Sequence, residues 1–91
     1  MSFEINKNGV VRFVFAPKTP VKKVSLVGSF NGWKPETMRK QKNGQYIRKV
    51  EVPCGVHHYK FIVDDTWQHD TDNEACLPNE MGTLNSVITM E

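Results

Sequence analysis

Cysteine is scarce in this 91-residue chain: there are two, Cys54 and Cys76, and they lack metal-ligand spacing. So few thiols exclude a disulfide-stapled scaffold or a zinc cluster and make reduced thiols in a cytoplasmic setting the expectation. Long apolar runs are missing too. No stretch approaches the ~20 residues that span a bilayer, and the opening Met1-Ser2-Phe3-Glu4-Ile5-Asn6 has neither the charged start nor the apolar core of a signal peptide, so no membrane partner is expected. Nor is there an excess of one charge. Twelve Lys and Arg against ten Asp and Glu leave +2, too balanced for a phosphate-tracking surface, and no nucleic-acid partner is expected. Lys18, Lys22 and Lys23 form the densest basic stretch, but they flank prolines and read as a solvated edge. Finally, the chain is too short for a deep catalytic cavity. It reads as a single unit over residues 1–91, with one shallow surface site.

Helical periodicity is also absent. Turn signals recur at short intervals instead: Pro17-Lys18-Thr19-Pro20, Asn31-Gly32, Asn43-Gly44, Pro53-Cys54-Gly55, Asp64-Asp65 and Pro78-Asn79. Between them lie Val10–Phe15, Lys23–Phe30, Gln45–Val52, Val56–Val63 and Leu84–Met90, all rich in β-branched or aromatic residues, and these are the expected strands. Alternation assigns their faces. Val11, Phe13 and Phe15 share one side of the first strand; Val24 and Leu26 repeat the pattern in the second. In the fourth, Tyr59, Phe61 and Val63 point inward, which places Lys60 on the outer face. The last strand sets Leu84, Ser86 and Ile88 on one side and Thr83, Asn85 and Val87 together on the other. Short strands without crossover helices predict an all-β chain, an immunoglobulin-like antiparallel β-sandwich, with a small open barrel as the alternative.

The two tryptophans carry most of the functional information. Trp33 follows Asn31-Gly32 and Trp67 follows Asp64-Asp65-Thr66, so each indole sits beside a turn rather than inside an apolar run. A flat ring presented at a strand end suits a partner with its own face of carbon-bound hydrogens, such as a glucose ring. A sandwich also commonly buries one large aromatic residue, and that is the competing role for Trp33. Catalysis is not expected. Asp64, Asp65, Asp70, Asp72 and Glu74 cluster in one turn-rich segment, where acids cap turns, whereas glycosidic hydrolysis needs two carboxylates held across a cleft. Asp70-Thr71-Asp72-Asn73-Glu74 resembles the start of a calcium loop, but Ala75 stands where that loop needs glycine and Met81 where it needs glutamate. His57 and His58 point to opposite strand faces and leave no ready third ligand with His69, so no metal or other cofactor is expected.

Four motifs in order, Val24-Ser25-Leu26-Val27-Gly28-Ser29-Phe30-Asn31-Gly32-Trp33, His58-Tyr59-Lys60-Phe61-Ile62-Val63-Asp64, Trp67-Gln68-His69-Asp70 and Gly82-Thr83-Leu84-Asn85, carry a resemblance to a known family. The chain resembles the glycogen-binding domain of the AMP-activated protein kinase β subunit, within the wider group of isoamylase N-terminal-like carbohydrate-binding modules, over about residues 10–88. The resemblance implies a sandwich of early-set type and non-catalytic binding of α-1,4-linked glucans such as glycogen, starch or malto-oligosaccharides. It implies Trp33 and Trp67 as the stacking pair, Lys60 as a hydroxyl donor, and Thr83 and Asn85 as the remaining polar contacts. Met81 stands where the kinase-subunit domains have a leucine that presses on the sugar, and methionine is flexible enough to fill that place. Gly32 replaces their usual asparagine, as in enzyme-linked members. The implied partners are an α-glucan and a glucan-processing enzyme or kinase-type complex; a module that only braces such a complex is the alternative.

Overall fold

Turn chemistry and strand alternation cut the chain into short pieces. The computed structural model describes residues 3–6 and 8–91. Its strands are β1 (Phe3–Ile5), β2 (Val10–Phe15), β3 (Val24–Gly28), β4 (Glu36–Thr37), β5 (Arg39–Lys40), β6 (Tyr46–Glu51), β7 (Gly55–Val63), β8 (Thr66–Gln68), β9 (Cys76–Pro78) and β10 (Leu84–Met90), with one 3₁₀ turn at Ser29–Asn31. They form two antiparallel sheets. One runs β1-β2-β6-β5; the other runs β4-β3-β7-β10-β9, with β8 attached to β7. This is the expected sandwich.

The inner faces meet in one core, because apolar residues two apart on each strand turn to the same side. Val11 and Phe13 of β2 meet Val24 and Leu26 of β3, Tyr59 and Phe61 of β7, and Ile88 and Met90 of β10, with Met38, Tyr46 and Val52 beside them. The Phe13 ring lies 5.0 Å from the Tyr59 ring and 5.5 Å from the Phe30 ring, centroid to centroid. Aromatic pairs at such spacings add about 0.5–1.5 kcal/mol beyond their buried area.

β7 organises the second sheet. On one edge it pairs with β3, Tyr59–Val63 against Gly28–Val24. Its other edge is shared: Gly55–Tyr59 pair with β10, and Phe61–Val63 pair with β8. The outer face around Lys60 therefore lies where β10 departs and β8 arrives. Asp64 and Asp65 make the two-residue turn between β7 and β8, both in the left-handed region at φ 46° and 70°, as the twist of a tight hairpin demands. The Asp64 carboxylate accepts hydrogen bonds from the Lys22 and Lys23 backbone N–H groups at 2.9 and 2.8 Å. That acid caps a turn, as expected.

Three details depart from the sequence reading. The strand expected over Lys23–Phe30 stops at Gly28, where the chain winds into the 3₁₀ turn. No sequence signal marks the short strands β1, β4, β5, β8 and β9, since two or three residues carry no measurable period. Asp70 is not a solvent-facing loop acid. It is 4% exposed; its Oδ2 accepts the Tyr59 hydroxyl at 2.7 Å, its Oδ1 accepts the Asp72 N–H at 3.0 Å, and its own N–H donates to Ser86 Oγ. Asn73 Nδ2 donates to the Tyr59 oxygen and to the Val87 carbonyl, completing a buried anchor for residues 70–73.

Both cysteines are free thiols. Gly55, beside Cys54, pairs with Met90, whereas Cys76 pairs with Ser86 four residues along β10. That offset alone is about 13 Å along a strand, beyond the ~7 Å between Cα atoms that a disulfide spans. No helix among the described residues is long and apolar enough to cross a membrane.

Candidate carbohydrate-binding site

Gly28 and Asn31 place Trp33. A side-chain carbon on Gly28 would lie 2.6 Å from the Phe30 ring and 2.9 Å from the His58 carbonyl oxygen, so only glycine lets the turn fold down onto β7. Asn31 Oδ1 accepts the Gly28 N–H at 3.1 Å and its Nδ2 donates to Glu36 Oε2 at 2.9 Å. Arg48 holds the other oxygen of Glu36 at 3.2 Å. The Trp33 N–H then donates to the Gly28 carbonyl at 2.9 Å. Closing this turn leaves Trp33 at φ 61°, a left-handed conformation that costs an L-residue roughly 1–2 kcal/mol. Backbone strain of this kind gathers at functional positions. Trp33 is 37% exposed.

Trp67 reaches the same surface from β8, where it pairs with Ile62 of β7, and it is 51% exposed. Both indoles border one groove of about 950 Å³, lined also by His58, Lys60, Thr83 and Asn85 and by Pro78, Asn79, Glu80 and Met81. All six residues singled out from the sequence, Trp33, Lys60, Trp67, Met81, Thr83 and Asn85, line this one groove. Trp33 does not belong to the core.

Lys60 faces outward from β7 as alternation requires, yet only 8% of it is exposed. The outer face is itself covered, so the lysine forms the floor of the groove and not a solvated strand residue. Its Nζ donates to Thr83 Oγ1 at 2.9 Å. Val27 pairs with Lys60 and is fully buried without belonging to the central core, which marks the same covered layer. Thr83 and Asn85 are neighbours on one side, and Asn79 Nδ2 reaches both, at 2.7 Å to Thr83 Oγ1 and 3.0 Å to Asn85 Oδ1. Met81, at the tip of the 79–83 loop, is 88% exposed.

The histidines are held within this frame. His57 Nε2 donates to the Pro53 carbonyl at 2.9 Å and its Nδ1 lies 3.3 Å from Ser29 Oγ, while His58 Nδ1 lies 3.4 Å from Asn85 Nδ2 on the groove side. Two features escaped the sequence reading. One is Asn79, whose turn propensity concealed its side-chain bonding. The other is a second hollow of about 720 Å³ on the four-stranded sheet, where Arg12, Arg39, Arg48 and Lys49 converge. No aromatic side chain lines it, so it offers no stacking face.

Comparison with known proteins identifies the family. Residues 11–91 match the family model described as the glycogen recognition site of AMP-activated protein kinase. The chain belongs to this family. Among its relatives, 5'-AMP-activated protein kinase subunit beta-1 of Sus scrofa is 36% identical over 70 residues, covering 77% of this chain and 56% of that one. The Homo sapiens beta-1 subunit has the same 36% identity over 70 residues, 77% of this chain but 25% of its own length. The Mus musculus beta-2 subunit is 34% identical over 67 residues, 74% of this chain and 24% of its own. The chain thus spans about half of the porcine sequence and a quarter of the others.

Solved structures show the same fold. A maltogenic amylase from S. marinus superposes with a TM-score of 0.72 at 22% identity, over 100% of this chain and 15% of the amylase. The pullulanase of Paenibacillus barengoltzii gives 0.61 at 18% identity, over 97% of this chain and 14% of the enzyme. Ferric enterobactin esterase from Salmonella typhimurium gives 0.74 at 13% identity, over 97% of this chain and 33% of that one. One sandwich thus accompanies several chemistries, and function has to be argued from the groove.

Proposed function

We propose that this chain is a single non-catalytic glucan-binding module in which a curved α-1,4-linked chain lies across Trp33 and Trp67. The observation that carries this reading is the opening of both indoles onto one groove floored by Lys60. Glucose rings set their carbon-bound hydrogens on the aromatic faces, Met81 presses on the sugar from the loop tip, and Lys60, Thr83 and Asn85 hydrogen-bond its oxygens. Family membership supports the ligand class, as do the names of the amylase and pullulanase that share the fold. The setting we propose is a cytoplasmic module working beside a kinase-type complex, which the β-subunit relatives support, or beside a glucan-processing enzyme, which the amylase and pullulanase support.

The acids support a binding role. Asp64 caps a turn and Asp70 is committed to the buried anchor, while Glu80 supplies the one carboxylate among the groove's lining residues. Glycosidic hydrolysis needs a pair. Each stacking or hydrogen-bonding contact contributes on the order of 1 kcal/mol net, so affinity falls between micromolar and millimolar. Titration with maltoheptaose, followed by tryptophan fluorescence, should saturate in that range, and amylopectin and glycogen should retain the chain where cellulose does not. An unchanged spectrum at millimolar sugar would sink the proposal.

A further inference from the structure

Asn79 closes the 79–83 loop almost entirely without its amide nitrogen. Its Oδ1 accepts the N–H groups of Met81 at 2.9 Å and Thr83 at 3.1 Å, its own N–H donates to the Thr83 carbonyl at 2.8 Å, and its carbonyl accepts the Gly82 N–H at 3.1 Å. The remaining group, Nδ2, donates to Thr83 Oγ1 at 2.7 Å and to Asn85 Oδ1 at 3.0 Å. Both acceptors belong to side chains that line the groove.

The consequence follows from counting lone pairs. A hydroxyl oxygen has two acceptor positions and one hydrogen to give. Thr83 Oγ1 accepts from Asn79 Nδ2 and from Lys60 Nζ, so its acceptor capacity is used and its hydrogen is what it can offer. Asn85 Oδ1 is tied back to Asn79, which turns Asn85 Nδ2 the other way, 3.4 Å from His58 Nδ1. An ammonium group only donates, and Lys60 gives one of its three hydrogens to Thr83.

We infer that Asn79 is a positioning residue that sets the polarity of the groove, making Lys60, Thr83 and Asn85 an array that recognises sugar through oxygen lone pairs. This deepens the glucan reading and rests on it. A glucan suits such an array, since its ring and bridging oxygens can only accept and its hydroxyls can also accept. A partner whose polar groups chiefly donate is turned away, because facing donors leave each other unsatisfied.

Asn79→Asp separates the two jobs of the residue. It keeps Oδ1 for the loop N–H groups and replaces the donor facing Thr83 and Asn85 with an acceptor. Maltoheptaose titrations should show binding at least about tenfold weaker than wild type, while circular dichroism reports an unchanged β-sheet spectrum. Asn85→Asp, which exchanges a groove donor for an acceptor, should weaken binding to a similar extent. One readout needs no sugar: in the free protein the Asn79 side-chain amide protons should exchange slowly with solvent, and the Asn85 amide resonances should move in Asn79→Asp. Wild-type affinity in both variants, or fast exchange at Asn79, overturns the inference and leaves the glucan reading standing. Failure of the wild-type chain to bind maltoheptaose overturns both.

Discussion

Trp33 carries two separable burdens, a strained backbone and an exposed ring, and paired substitutions pull them apart. Its φ of 61° lies where a side-chain carbon costs roughly 1–2 kcal/mol and glycine costs nothing. Glycine gives back about 0.4–1 kcal/mol through the greater freedom of the unfolded chain. Trp33→Gly should therefore be more stable than Trp33→Ala by about 0.5–1 kcal/mol, or roughly 2–8 °C in melting temperature for a domain of this size. Both variants lack the indole, so the difference between them isolates the backbone. The ring's own contribution reads out in binding. With 37% of the residue exposed, on the order of 90 Å² of it is open to a ligand. A sugar covering half of that gains about 1 kcal/mol at 25 cal/mol per Å². Both variants should then bind maltoheptaose some five- to tenfold more weakly than wild type, and equally so. Differential scanning calorimetry and fluorescence titration on the three proteins give both numbers. Alanine matching or exceeding glycine in stability would refute the strain, and wild-type affinity in Trp33→Gly would refute the platform.

Other positions give equally definite outcomes. Gly28→Ala forces a carbon to within 2.6 Å of the Phe30 ring and 2.9 Å of the His58 carbonyl; overpacking of this kind costs about 2 kcal/mol, a fall of roughly 10 °C in melting temperature, with weaker glucan binding because the turn that presents Trp33 shifts. Asp70→Ala should destabilise by about 3 kcal/mol, read as a lower urea midpoint, by stripping the acceptor from the Tyr59 hydroxyl and the Asp72 N–H. Asp70→Asn should cost about half as much, and an Asp70→Ala chain as stable as wild type would remove the buried anchor from the account. Trp67→Ala should lower maltoheptaose affinity about five- to tenfold while the fold persists, checked by titration beside far-ultraviolet circular dichroism.

What the sequence made legible follows from period and length. β2, β7 and β10 run for six to nine residues, long enough for alternation to place Phe13, Tyr59 and Ile88 inward and Lys60 and Asn85 outward. β4 and β5 are two residues each and exist because β3 and β6 offer them edges, so no local pattern announces them. Lys60 shows the limit of face assignment. Alternation gives the direction of a side chain but not what lies above it, and the floor of the groove forms only when the loop 79–83 and the β8 hairpin arrive from elsewhere. Asp70 shows the same limit inverted. An acid in a turn-rich segment is expected to be wet, and only Tyr59 and Ser86, distant in sequence, bring it indoors. Asn79 was legible as a turn former; that its spare amide would be handed to Thr83 and Asn85 depends on loop closure.

Tyr59 and Lys60 are consecutive on β7, one joined to the buried anchor and the other lining the groove. A slip of a single residue in the β7 pairing would exchange them, driving an ammonium into the aromatic interior and offering the groove a phenol. Mispaired chains should therefore be blind to glucan, so that an amylose column would act as a sieve for correct strand alignment and report the natively paired fraction of any refolding mixture.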